Sequence, residues 1–104
     1  MRKFDYRVYL SLMDSKSGLQ EIGTIEAYKV VENILNGIFE RGAIFEEERI
    51  NRCNPERVVI EKVLHIELFN TDMAKVDRFV DILKLAFNQE SVFVEEIEEA
   101  FDIV

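Results

Sequence analysis

The strongest constraint on this chain lies at its start, where Phe4, Tyr6, Val8, Leu10 and Leu12 alternate with Asp5, Arg7, Tyr9, Ser11 and Met13. Side chains of a strand point alternately to opposite faces, so five apolar residues at period two predict a strand with one buried face. Such a strand needs partners and a covering layer, and the rest of the chain offers both. After a turn-forming break, Asp14-Ser15-Lys16-Ser17-Gly18, comes a helical period. Ala27, Val31, Ile34, Leu35 and Ile38 fall on one face, widened by Tyr28 and Phe39, with Thr24 as the expected N-cap. Gly42, rather than Gly37, is expected to supply the left-handed residue that ends this helix.

Ala43 to Ile50 and Val58 to Phe69 read as the second and third strands. Residues 51–56, Asn-Arg-Cys-Asn-Pro-Glu, read as the hairpin loop between them, because Asn favours turns and Pro cannot donate to a ladder. In the third strand Ile60, Leu64, Ile66 and Leu68 share one face, and Glu61, Val63, His65, Glu67 and Phe69 the other. Asn70-Thr71-Asp72 announces a second helix, whose apolar stripe is Met73, Val76, Phe79, Val80, Leu83, Ala86 and Phe87, with Asn88 placed to end it. Ser91 to Val94 is the fourth strand. The acidic run from Glu95 to Val104 allows a strand extension, a helical turn or a reach onto another subunit.

The order β-α-β-β-α-β is the split-βαβ, ferredoxin-like arrangement of the α+β class. It predicts one domain over residues 1–104: a four-stranded antiparallel sheet, both helices on one face, and the first and third strands adjacent in the middle. A chain of 104 residues has room for one such core.

The net charge of −8 is uneven, −1 over residues 1–57 and −7 over residues 58–104. A negative half repels phosphate backbones and disfavours direct nucleic-acid binding, and single-stranded RNA stacking on Tyr9 and Phe69 lacks the basic surroundings it needs. The first residues pass straight into the alternating strand without an apolar leader, and no run reaches the ~20 apolar residues that span a bilayer. The single cysteine, Cys53, fits a reducing compartment. The expectation is a cytoplasmic protein with no membrane partner. One His and one Cys do not make a zinc site, the carboxylate runs lack calcium-loop spacing, and four isolated glycines make no phosphate loop. The sequence therefore calls for neither metal nor cofactor.

With the helices on the even-numbered side, the odd-numbered face remains open. It is too apolar for simple exposure and too polar for a core, which suits a face covered by a ligand or by a second subunit, a dimer being the first expectation. Arg7, Tyr9, His65 and Glu67 concentrate its chemistry. Arg7 is suited to an anionic group, Tyr9 to stacking, and His65 with Glu67 to polar recognition or acid/base work. An ordinary cross-strand His–Glu pair would look the same.

Phe87-Asn88-Gln89-Glu90-Ser91-Val92 resembles the Phe-x-Gln-Glu-Ser-Val stretch of an uncharacterised family of small bacterial proteins, a domain of unknown function. That family is also similar to two β-α-β halves, so the resemblance implies the fold but no activity. Its aromatic-rich start and central Trp are absent here. Gln89 and Ser91 are candidate ligand contacts, and equally candidate caps of a helix-to-strand turn.

Three readings follow. The first is a non-enzymatic, oligomeric module that holds a small polar ligand, anionic ones included, or a protein at the open face or subunit boundary. The second, similar in style to small proteins of phages and mobile elements, is an acidic inhibitor of a basic nucleic-acid enzyme, with Glu95, Glu96, Glu98, Glu99 and Asp102 as its contact edge. The third is a small enzyme working from His65 and Glu67.

Overall fold

A computed structural model of the chain describes residues 3–54 and 57–97, with backbone alone for residues 51–54 and 57–59. Its order is β1 (Phe4–Ser11), α1 (Thr24–Ile38), β2 (Gly42–Asn54), β3 (Arg57–Thr71), α2 (Met73–Ala86) and β4 (Phe93–Ile97). The sheet order is β2-β3-β1-β4, and every pairing is antiparallel. This is the ferredoxin-like arrangement read from the sequence. No helix among the described residues is long and apolar enough to cross a membrane.

The period-two pattern of β1 does what it predicts. Tyr6, Val8, Leu10 and Leu12 are buried against Leu64, Ile66 and Leu68 of β3, with Ala27, Val31 and Leu35 of α1 and Val76, Phe79, Val80 and Leu83 of α2 laid over them. Phe79 meets Phe39 edge to face at 5.3 Å between ring centres. A fully buried side chain of this size contributes about 2–3 kcal/mol through apolar area removed from water.

The helix ends differ from expectation in one case and agree in the other. Thr24 is the first residue of α1 rather than its cap; Gly23 occupies the cap position, and the Thr24 hydroxyl accepts a hydrogen bond from Gln20 Nε2 at 3.0 Å. The helix closes at Ile38, and the chain leaves through extended Phe39 with no left-handed glycine. Gly42 serves close approach instead: a Cβ there would stand 2.9 Å from Leu35 Cδ1 and 3.2 Å from the Glu67 carbonyl oxygen. At α2, Asp72 is the N-cap residue, its carboxylate accepting from Lys75 N at 3.0 Å. Asn88 is left-handed at φ 49°, which lets Gln89 N bond back to Lys84 O at 3.0 Å and end the helix.

The largest correction concerns the hairpin. Residues 51–54 belong to β2 and Arg57 opens β3, so four of the six residues expected in the loop are strand, and residues 55–56 lie outside the described residues. Pairing continues from Glu48↔Lys62 through Ile50↔Ile60 to Asn54↔Arg57. The β1 partner stops at Ser11↔Val63, so among the described residues the outer hairpin is a two-stranded arm with no third strand beside it. Ile60 was expected in the core by parity. It lies on the core-side face, but out on the arm beyond the helices, and is 61% exposed.

Candidate functional site

The central pairing places the four open-face candidates together. Arg7 lies opposite Glu67 and Tyr9 opposite His65, all on the face away from the helices. The two outer strands extend this set in a way that sequence reasoning missed. Phe45 of β2 pairs with His65, and Phe93 of β4 pairs with Tyr9. One row of four rings, Phe45–His65–Tyr9–Phe93, therefore crosses all four strands. The successive ring centres are 5.6, 4.9 and 5.5 Å apart. The outer members are open to solvent, Phe45 at 49% and Phe93 at 61%.

The signal for the missed rings was parity: Phe45 and Phe93 are odd-numbered like Tyr9 and His65. Parity assigns a face but not a register, and only register puts these rings in one line.

Carboxylates border the row. His65 Nδ1 lies 2.8 Å from Glu47 Oε1, and His65 Nε2 lies 3.4 Å from Glu67 Oε1. Glu67 Oε1 also faces Arg7 Nε at 3.5 Å, and Arg7 reaches Glu95 Oε1 at 3.9 Å through its terminal nitrogen. Both Arg7 Nε and His65 Nε2 are shielded from solvent and meet Glu67 at ion-pair distance without hydrogen-bond alignment. In a neutral ring with its proton on Nδ1, Nε2 is an acceptor facing another acceptor; a doubly protonated ring serves both carboxylates. The two nitrogens point to different carboxylates, and among the described residues no His, Cys, Asp or Glu group is arranged to hold a metal ion.

Arg7 was expected to meet an anion, but its guanidinium already lies between Glu67 and Glu95. Its charge is balanced within the face, and the local excess is negative. Beyond the row, Ser11 donates a hydrogen bond to Glu61, and Val63 is buried. Arg49 places its guanidinium carbon 5.4 Å from the centre of the Tyr9 ring.

The remaining candidates lie elsewhere. Gln89 donates to Met13 O at 2.5 Å and to Phe87 O at 3.3 Å, and the neighbouring Glu90 N donates to Ser15 Oγ at 3.1 Å. These bonds tie the α2–β4 turn to the loop after β1, which is the capping alternative. Ser91 is exposed in the same turn, before β4 begins at Phe93 rather than at Ser91. Asp14 completes the tie: it accepts from Lys16 N, Ser17 N and Asn88 Nδ2 at 2.8, 3.0 and 2.8 Å. The Asn88 amide, followed by the two backbone N–H groups, holds the Asp14 carboxyl below the usual carboxylate range. Of the acidic edge, Glu95 and Glu96 extend β4, while Glu98, Glu99 and Asp102 lie outside the described residues.

No protein-family profile matches the sequence, and no curated protein matches it significantly. Solved structures do match. A phage SAM lyase in complex with S-methyl-5′-thioadenosine superposes with a TM-score of 0.66 at 20% identity, covering 92% of this chain and 81% of that one. The same kind of enzyme, a phage SAM lyase in its apo state, gives 0.58 at 18% identity, covering 91% and 81%. CutA from Synechococcus elongatus, complexed with a Bis-Tris molecule, gives 0.55 at 14% identity, covering 93% and 84%. At these identities the shared property is the fold.

Proposed function

We propose that this chain is an oligomeric small-ligand binding domain whose open face takes a flat, neutral or cationic heteroaromatic ligand. The observation that carries the reading is the row of four rings bordered by Glu47, Glu67 and Glu95. Aromatic faces offer stacking to a planar base and an attractive quadrupole to a cation. Carboxylates add acceptors for sugar hydroxyls and attraction for positive charge, and Glu47, Glu67 and Glu95 outnumber the two cations of the face, Arg7 and Arg49. A purine nucleoside with a thioether or sulfonium arm meets all of these terms. The similarity to a fold solved with S-methyl-5′-thioadenosine supports the choice of that class.

Isothermal titration of the purified protein with S-methyl-5′-thioadenosine, SAM, adenosine and ATP tests it. Binding of the first two, weakened by Tyr9→Leu and by a paired Glu67→Gln/Glu95→Gln change, is the expected result. Absence of heat with all four, or ATP binding as tightly as the thioether nucleosides, would sink it.

A second reading has its own support, because two of the similar folds belong to lyases. Here His65 and Glu67 orient bound SAM so that its own carboxylate oxygen attacks Cγ of the amino-acid arm. A C–O bond forms as the sulfonium C–S bond breaks, giving homoserine lactone and S-methyl-5′-thioadenosine. Chromatography of SAM incubated with the protein separates the two readings: product that disappears with His65→Ala favours catalysis, and intact SAM favours a binding module.

A further inference from the structure

Three strands reach one end of the sheet together: β1 begins at Phe4 and β2 at Gly42, where antiparallel β3 finishes at Thr71. A cleft of about 160 Å³ opens at this end. Three cations line it from three different segments: Lys3 ahead of β1, Arg41 in the α1–β2 connection and Lys75 in the first turn of α2. Glu40 is the one acid among its lining residues, in a chain with 21 acidic and 13 basic residues.

The backbone shapes this cleft. Between the pairs Phe4↔Thr71 and Tyr6↔Leu68, β3 carries one residue more than β1. Asn70 is left-handed there, at φ 49°, and its N–H donates to Asp5 Oδ1 at 2.8 Å. An extra residue of this kind kinks a strand and re-aims its side chains, and Phe69, 39% exposed, becomes a wall of the cleft. Buried Thr71 lines it too and brings a hydroxyl, a donor that an oxyanion can accept from. Two further carboxylates at this end, Asp5 and Asp72, accept from the backbone N–H groups of Asn70 and Lys75. Among the described residues none of Lys3, Arg41 and Lys75 ion-pairs with a carboxylate, whereas Arg7 and Lys62 each meet two.

We propose that this cleft binds a phosphate group, either free or carried by a small phosphomonoester. Three cations against one carboxylate leave +2, the charge that a phosphate dianion matches. Like charges gathered around one concavity repel each other, and a multiply charged oxyanion turns that repulsion into attraction. Arg41 offers a planar fork to two phosphate oxygens, and the lysines offer point charges on flexible stems for the others. Phe69 gives the carbon part of an ester an apolar surface that bare phosphate does not use. The cleft is separate from the ring row, because Phe69 lies four residues beyond His65 on β3, about 13 Å along the strand. The two places also differ in sign: carboxylates border the ring row, and cations border this cleft. The phosphate site therefore stands without the ligand reading of the open face.

NMR titration of the isotope-labelled protein with sodium phosphate, at an ionic strength held constant with sodium chloride, tests the proposal. The amides of Arg41, Gly42, Asn70 and Thr71 should shift along saturable curves while those of Tyr9 and His65 stay still. Arg41→Gln and Lys75→Gln should each weaken binding about tenfold, the loss of one charge-assisted contact. Lys84→Gln removes a cation from the last turn of α2 and should change the affinity by less than about twofold, because solvent and salt screen a charge that far away. Circular dichroism checks that each variant is folded. Phenyl phosphate separates the two sources. Tighter binding than phosphate, lost in Phe69→Ala, assigns an ester, and equal affinity assigns free phosphate. Shifts that do not saturate, or that spread over the whole surface, would overturn the site. So would a Lys84→Gln loss as large as that of Arg41→Gln. Titration with S-methyl-5′-thioadenosine, followed at Tyr9 and His65, reports the ring row separately, so either proposal can fail while the other stands. ATP carries both chemistries, and its shifts are sorted by the same two sets of amides.

Discussion

Tyr9→Leu isolates the energetics of the ring row. Tyr9 is an inner member, touching His65 at 4.9 Å and Phe93 at 5.5 Å, and it carries the Arg49 guanidinium at 5.4 Å. Each aromatic pair is worth about 0.5–1.5 kcal/mol beyond its buried area. An exposed cation–π contact adds about 0.5–1 kcal/mol. Two pairs and one cation sum to about 1.5–4 kcal/mol, and leucine restores some apolar contact. A net loss of about 1–3 kcal/mol is therefore expected, read as a lower urea midpoint at unchanged slope. The double change with Phe93→Leu should cost less than the sum of the two single changes, by about 0.5–1.5 kcal/mol, because the pair is lost only once. A Tyr9→Leu protein within about 0.5 kcal/mol of wild type, with a cycle that closes to zero, would refute the claim that the rings act as a unit. Retained stability loss with wild-type affinity for S-methyl-5′-thioadenosine would instead move the ligand off this face.

Three further changes probe the scaffold. Gly42→Ala forces a Cβ against Leu35 and the Glu67 carbonyl, and should cost about 1–3 kcal/mol in a thermal or urea melt, partly relieved by adding Leu35→Val. Asp72→Ala removes the α2 cap and should cost about 1 kcal/mol, checked by the same melt with Asp72→Ser as a near-neutral control. Asp14 has a folded-state carboxyl held low, chiefly by Asn88, so its contribution is present above the unfolded value near pH ~4 and is lost as pH falls through the folded one. The acid limb of the wild-type stability curve should accordingly be steeper than that of Asp14→Asn; parallel limbs would show that the tie does not matter to stability.

The fold was legible because two periods, 2 in β1 and β3 and 3.6 in the helices, agree about which residues meet. The arm was not, because Asn51, Asn54 and Pro55 carry turn preferences that cross-strand pairing overrides up to Asn54 and from Arg57. The start of β4 shifted from Ser91 to Phe93 because Gln89 and Glu90 are held by the loop after β1, which a single sequence does not reveal. In the site, Arg7, Tyr9, His65 and Glu67 were found by parity. What parity did not show is the second carboxylate beside Arg7, because Glu95 arrives from a strand whose register was unknown.

The β2–β3 hairpin also has a kinetic meaning. Near Gly42↔Leu68 its ladder is sealed under α1 and flanked by β1, so those amides open only with the whole domain. Beyond Glu48↔Lys62 the same ladder is two strands wide and can fray alone. A single pair of strands thus grades from globally to locally protected along its length. The boundary falls close to where β1 stops, so hydrogen exchange along this one hairpin should separate local fraying from global unfolding.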